Sequence, residues 1–257
     1  MASLGTRTET LLPEVTAVLT LYNRPDYFFD QLRCIEEQSV PCDIWVDYTL
    51  CDANRHIDIE DLSKRAKVHV RYNHNLHIFG RFYLAMNITT PYVFIVDDDI
   101  FPQPDYVKSC IQIITEKKDA IAVAWGCRFS PKSNSYNKDG GQFGWNTLNS
   151  KEVRVDWGGH AWFFKRSTLN HFNRIDPIYR HNGEDLHLSF TASVFGNVPT
   201  YVPPHPVEEP TKWSTIPKKT KKVSAQNALN GRSNHKQERS RAVQFYRNNN
   251  WKYVLEK

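Results

Sequence analysis

No apolar run in this 257-residue chain approaches the ~20 residues that a membrane-crossing helix needs. Its first residues, Met1-Ala2-Ser3-Leu4-Gly5-Thr6-Arg7, lack the basic stretch and apolar core of a secretory leader. The five cysteines, Cys34, Cys42, Cys51, Cys110 and Cys127, form no Cys-x-x-Cys pair, which argues against a zinc site or disulfide framework and for free thiols in a reducing compartment. We find no internal repeat. These absences describe a soluble, cytoplasmic protein.

What is present suits one core with a small appendage. Hydrophobic residues make up 40% and aromatics 13%, ordinary values for a globular domain of this length. The net charge of +5 hides an asymmetry: residues 211–257 hold 12 Lys+Arg and 2 Asp+Glu, so that segment is +10 and residues 1–210 are −5. We therefore divide the chain into a domain, 1–210, and a basic extension, 211–257, part helical and part disordered. A basic segment suits a nucleotide pyrophosphate or an anionic surface. It contains no recognisable nucleic-acid reader motif, and the acidic body argues against nucleic acid as a partner.

The apolar pattern alternates strands and helices. Val15 to Tyr22 reads as a strand; Asn23 can cap and Pro25 can open a helix reaching about Gln38, with Phe28, Leu32 and Ile35 on one face. Strands follow at 43–50 and 68–72, a helix at 78–88 and a strand at 92–96. A helix from Pro104 to about Lys117 and a strand at 120–125 come next. Residues 128–150, rich in Ser, Asn, Lys and Gly, read as a mobile surface loop able to close over a ligand. Trp157-Gly158-Gly159-His160 precedes a short strand at 161–164, Gly183 opens a helix ending near Gly196, and the last strand, 198–202, ends the core. This alternation predicts an α/β domain with a mostly parallel central sheet.

The strongest chemical signal is Tyr92-Val93-Phe94-Ile95-Val96 running into Asp97-Asp98-Asp99. Ligands of open α/β sheets bind at the C-terminal ends of strands, and three adjacent carboxylates there call for a cation. A divalent metal carrying a phosphorylated ligand is the simplest occupant; Mg²⁺ or Mn²⁺ suits hard oxygen donors.

The strand followed by Asn23-Arg24-Pro25, Asn75 with Gly80-Arg81 before the central helix, the acid cluster, and Gly183-Glu184-Asp185 on a late helix occur in an order that resembles the GT-A (Rossmann-like) glycosyltransferases, especially those of family 2. The resemblance covers about residues 13–206. The chain is also similar to small glycosyltransferase domains encoded by large algal viruses, which would place it in a host cytoplasm. The resemblance implies a metal-dependent transfer of a hexosyl or deoxyhexosyl group from a nucleoside-diphosphate sugar, UDP being the commonest carrier, to a hydroxyl of a glycan or glycoprotein, with inversion.

Carried onto this sequence, the Asp-x-Asp motif makes Asp99 the metal ligand and Asp98 the ribose contact, with Asp97 as a further donor contact. His205, between prolines after the last strand, corresponds to a C-terminal metal ligand. Leu21, Tyr22, Asn23 and Arg24 line the donor site, Asp52 faces the base, and Arg81 pairs with the acids or the diphosphate. Asp185 is the general base and Glu184 binds the acceptor. Trp157, Gly158 and Gly159 form a sugar platform. Trp213 and Lys218 to Lys222 fold back on the diphosphate. The chain lacks the usual acidic pair with Gly and Ser after the second strand.

The residues leave other readings open. Asn23 can be a helix cap, Arg81 a surface charge, His205 and Trp157 packing residues, and Glu184 with Asp185 acids that complement a helix dipole. A metal-dependent phosphohydrolase also uses acids at a strand end, but its nucleophile belongs near the first strand. A non-catalytic carbohydrate-binding module would rely on the aromatics and the basic tail.

Overall fold

The computed structural model describes residues 14–71, 76–145, 147–215 and 233–256. Nine strands form one sheet: β1 (Val15–Leu21), β2 (Cys42–Thr49), β3 (Lys67–Arg71), β4 (Tyr92–Val96), β5 (Ile121–Cys127), β6 (Gln142–Gly144), β7 (Val153–Val155), β8 (Trp157–Lys165) and β9 (Thr200–Val202). The helices are α1 (Phe28–Glu36), α2 (Ile59–Leu62), α3 (Gly80–Ala85), α4 (Tyr106–Glu116), α5 (Leu169–Phe172), α6 (Glu184–Gly196) and α7 (His235–Asn248). The strand order is β3-β2-β1-β4-β8-β5-β9-β7, with β6 on β5. β1, β2, β3 and β4 pair in parallel, as do β5 and β9, whereas β8 is antiparallel to both β4 and β5. Six of the nine strands therefore run one way.

The period of two along β4 divides the core. Phe94 and Val96 face a cluster with Leu32 and Ile35 of α1 and Ile113 of α4, while Val93 and Ile95 face Phe79, Phe82, Trp162 and Leu188 on the other side. Helices thus cover both faces, which is why β1 and β4 are almost wholly apolar. α1 begins after a single 3-10 turn at Pro25–Tyr27, where the proline's fixed φ is an advantage and its missing N–H costs nothing.

β6 lies within the stretch expected as a loop, and two further departures from the sequence expectation bear on the site. Trp157-Gly158-Gly159-His160 does not precede a strand; it forms the first half of β8, inserted antiparallel in mid-sheet. The two glycines sit where β5 and β8 shift register between Val123 and Trp125, and at Gly158 the backbones approach closely. The core also continues beyond residue 202. Ala242, Val243 and Tyr246 of α7, with Trp251 and Tyr253, are buried in a third cluster against Trp157, Leu186 and Phe190. Their apolar spacing is diluted among basic residues in the sequence, which concealed it.

Candidate active site

Strand order reverses between β1 and β4: the chain runs outward through β2 and β3, then returns to the other side of β1. A crevice at the C-terminal ends of such a pair is the usual ligand site of an open α/β sheet. Leu21 to Arg24 leave β1 on one side and Asp97 to Asp99 leave β4 on the other. Arg24 Nη1 lies 3.2 Å from Asp98 Oδ1 and 3.6 Å from Asp99 Oδ2, bridging the two exits. Gln31 of α1 shapes the acidic turn from below, its Nε2 donating to the carbonyls of Asp97 (2.5 Å) and Ile100 (2.9 Å).

Burial pushes the carboxyl of Asp98 up to about 7 and that of Asp99 up to about 6, with the neighbouring acids adding to the effect and Arg24 opposing it. A cation would relieve this. Ligand atoms of Asp97, Asp99 and His160 lie within 4.8 Å of one another. His160 belongs to β8 and has φ +70, a left-handed conformation that is uncommon outside glycine and that His, like Asn and Asp, adopts more readily than most residues. Its ring lies 4.4 Å from that of Trp145 and 5.8 Å from that of Trp125, centroid to centroid. Burial lowers its pKa, with Asp97 acting the other way, so a neutral imidazole with a free lone pair is favoured. Two carboxylates and an imidazole fit a small divalent ion such as Mg²⁺ or Mn²⁺.

A second acidic pair enters from α6. Gly183, at φ +81, makes the left-handed turn that starts this helix, and Glu184 and Asp185 occupy its first positions, both nearly buried. Negative charge there complements the helix dipole. Arg81 of α3 joins the two groups: Nη1 bonds Asp97 Oδ1 and Nη2 lies 3.0 Å from Glu184 Oε1, while the guanidinium carbon sits 4.8 Å from the Trp162 ring centre. Burial, then the Asp185 charge, pushes Glu184 up to about 7. Asp185 has its own partner, Arg239 of α7, with Nη2 2.7 Å from Oδ2.

The remaining expected residues are placed as follows. Leu21 is buried at the end of β1, and Tyr22 and Asn23 are exposed at the crevice. Asp52 points to solvent and pairs with Arg55; its side chain is 91% exposed, outside the crevice cluster. Asn54 fills the position between the β1 and β2 exits instead, donating to the carbonyls of Tyr22 (3.0 Å) and Thr49 (2.8 Å). Trp157 is 1% exposed and packs on Trp125 and Tyr136, so neither face is open to a sugar. A side chain on Gly158 would collide with Val123 and the Trp125 carbonyl, whereas one on Gly159 would make only ordinary contacts with Asp185 Oδ2 and Trp162.

His205 is fully buried and is not among the clustered ligand atoms of Asp97, Asp99 and His160. Its Nδ1 donates to the Pro203 carbonyl (2.9 Å), and its Nε2 accepts from the Ser214 N–H (3.1 Å), which leaves no lone pair for a metal. Trp213 bonds the Pro206 carbonyl through Nε1 (2.7 Å). Asn75 and Lys218 to Lys222 lie outside the described residues. Sequence reasoning missed His160, Asn54 and Arg239. Only His160 carried a signal, as a histidine directly after a Gly-Gly pair.

No family model matches the sequence, and no curated protein matches it. Solved structures do match by shape. S. aureus TarS 1-349 aligns with a TM-score of 0.50 at 13% identity over 74% of this chain and 60% of that one; a longer S. aureus TarS structure aligns with 0.50 at 14% identity over 84% and 40%. A Pyrobaculum calidifontis mannosyltransferase, PcManGT, in complex with GDP-Man and Mn²⁺, aligns with 0.48 at 16% identity over 76% and 56%. This chain has a GT-A-like glycosyltransferase fold. It spans less than two thirds of the length of each of these structures.

Proposed function

We propose that this chain is a metal-dependent glycosyltransferase that moves a sugar from a nucleoside diphosphate to an acceptor hydroxyl. The observation that carries the reading is the junction made by Arg81, which ties the Asp97–Asp99–His160 cluster to the acid pair at the start of α6. In this reading Asp97, Asp99 and His160 hold Mn²⁺ or Mg²⁺, and Asp98 receives the donor ribose. When bound, the ion supplies positive charge to the departing diphosphate.

Asp185 takes the proton of the acceptor hydroxyl. The acceptor oxygen then bonds to the anomeric carbon, and the bond from that carbon to the diphosphate breaks, its electron pair leaving with the nucleotide. Attack from the side opposite the leaving group inverts the anomeric centre. Glu184 binds the acceptor. UDP-sugars, including deoxyhexoses such as rhamnose, are the first donors to test, with glycans as acceptors.

The test is a donor panel with Mn²⁺, read by product anomer analysis, on wild type and Asp185→Asn. The variant is expected to keep nucleotide binding and lose transfer by about 10² to 10⁴, the usual share of a positioned general base. Near-normal turnover by the variant would move the base elsewhere. Nucleotide affinity in wild type that is indifferent to metal would overturn the whole reading.

A further inference from the structure

Successive residues of α7 engage the entrance to α6. Glu238 accepts from Asn182 Nδ2 (2.9 Å) and meets His181 Nε2 (3.1 Å), and Arg239 donates to Asp185 Oδ2 (2.7 Å). The other Asp185 oxygen, Oδ1, accepts the Leu186 N–H (2.7 Å). Each carboxylate oxygen therefore has a fixed donor. The Arg239 guanidinium is fixed in turn, its carbon 4.5 Å from the Tyr136 ring centre and 4.9 Å from that of Trp157. Tyr136 is itself anchored to α7, its N–H donating to Ser240 Oγ (3.2 Å).

We propose that Arg239 is a positioning residue for transfer, which holds the Asp185 carboxylate aimed across Gly159 toward the acceptor. This rests on the glycosyltransferase reading above. An arginine that is 5% exposed is an expensive way to attach a helix, and Ala242, Val243 and Tyr246 already attach this one. What the arginine adds is direction. A planar fork packed against two adjoining aromatic rings has little freedom, so its carboxylate partner has little either. Each carboxylate oxygen can accept more than one hydrogen bond, so Oδ2 retains capacity for a hydroxyl donor. Gly159 leaves the β8 side of Oδ2 uncovered, at a point where a Cβ would stand 3.5 Å from that oxygen. The trailing basic segment thus acts on the acceptor side through α7.

The experiment uses the full chain with Arg239→Ala and Arg239→Lys. Melting temperature, UDP–Mn²⁺ affinity by calorimetry, and kcat and KM for the donor are measured, with millimolar guanidinium chloride added back. We expect kcat to fall on the order of 10²-fold in both variants, the cost of a misplaced reacting group. Donor KM and nucleotide affinity should stay within about twofold, since the donor side is untouched. Guanidinium should restore part of the activity of the Ala variant. Wild-type kcat in folded Arg239→Lys overturns the inference alone, and this variant decides if Arg239→Ala does not fold. Loss of activity in folded Arg239→Ala with no guanidinium rescue also overturns it, as that marks a purely structural arginine. A wild type that transfers from no donor sinks the glycosyltransferase reading and the inference with it.

Discussion

Arg81 and Glu184, 103 residues apart in the chain, meet at 3.0 Å in the interior of the site. Arg81 is 7% exposed, and a lone guanidinium there would be prohibitive without the carboxylates of Glu184 and Asp97 on its fork. The pairing also fixes the spacing between the end of β4 and the start of α6. Two acidic groups that would repel each other are held together by one shared cation, and removing either partner would leave a buried charge at a cost of about 3 to 5 kcal/mol.

The metal assignment predicts unequal roles for two histidines. Loss of a partner one shell out already costs a metal site about 10 to 100-fold in affinity, so loss of a ligand is expected to cost at least that. His160→Asn, chosen because asparagine tolerates the left-handed backbone at φ +70, should weaken Mn²⁺-assisted UDP binding to this extent, as should Asp99→Asn. His205→Ala should leave metal affinity unchanged and lower the melting temperature, because the Pro203 carbonyl and Ser214 N–H lose their buried partner. Calorimetry with and without chelator checks both. Metal-dependence abolished by His205→Ala and untouched by His160→Asn would reverse the assignment.

Much of this site is legible in sequence because its parts are local. Five β-branched or aromatic residues followed by three aspartates state both a buried strand and its charged end, and Gly183-Glu184-Asp185 states a helix start. The alternation of strands and helices states the sheet as far as β4. The antiparallel insertion of β8 was hidden because a Gly-Gly pair in the sequence gives no sign that Gly158 serves close packing between β5 and β8. His160 and Arg239 depend on contacts across 63 and 54 residues with Asp97 and Asp185, for which no short-range pattern exists. His205 was misplaced for a related reason: its proline-flanked position gives no sign that Ser214 occupies its second nitrogen.

The two adjacent glycines of β8 should separate folding from activity. A Cβ on Gly158 would sit 2.3 Å from Val123 Cγ2 and 2.5 Å from the Trp125 carbonyl oxygen, so Gly158→Ala must displace a stiff side chain and backbone. It is expected to cost about 1 to 3 kcal/mol or more. A Cβ on Gly159 would lie 3.5 Å from Asp185 Oδ2 and 3.9 Å from Trp162, ordinary contact distances. Gly159→Ala should melt near wild type yet slow transfer by filling the approach to Asp185. Thermal melts and donor turnover on both variants test this; full transfer by folded Gly159→Ala would show that the acceptor does not use that space.

The last prediction concerns acid stability. His187 is fully buried on α6, with Nε2 2.8 Å from the Phe172 carbonyl and Nδ1 3.1 Å from the Tyr246 hydroxyl; Asp176 supplies the facing charge. Burial lowers its pKa to about 4, against 6.5 for a free imidazole. Between these values the unfolded chain binds the proton and the folded chain does not. Stability from this group is complete above about 6.5 and is lost as pH falls toward 4. Going from pH 7 to 4.5, the loss should be about 2 to 3 kcal/mol. The buried carboxyls of Asp98, Asp99, Asp156 and Glu184, all raised by burial, act with the opposite sign over the same range, so the total slope does not report His187. The difference between wild type and His187→Gln does, since glutamine keeps a donor and an acceptor but does not titrate. Urea unfolding at pH 7 and 4.5 should show wild type losing more stability than the variant by that amount; equal losses would mean that His187 is not held neutral by the fold.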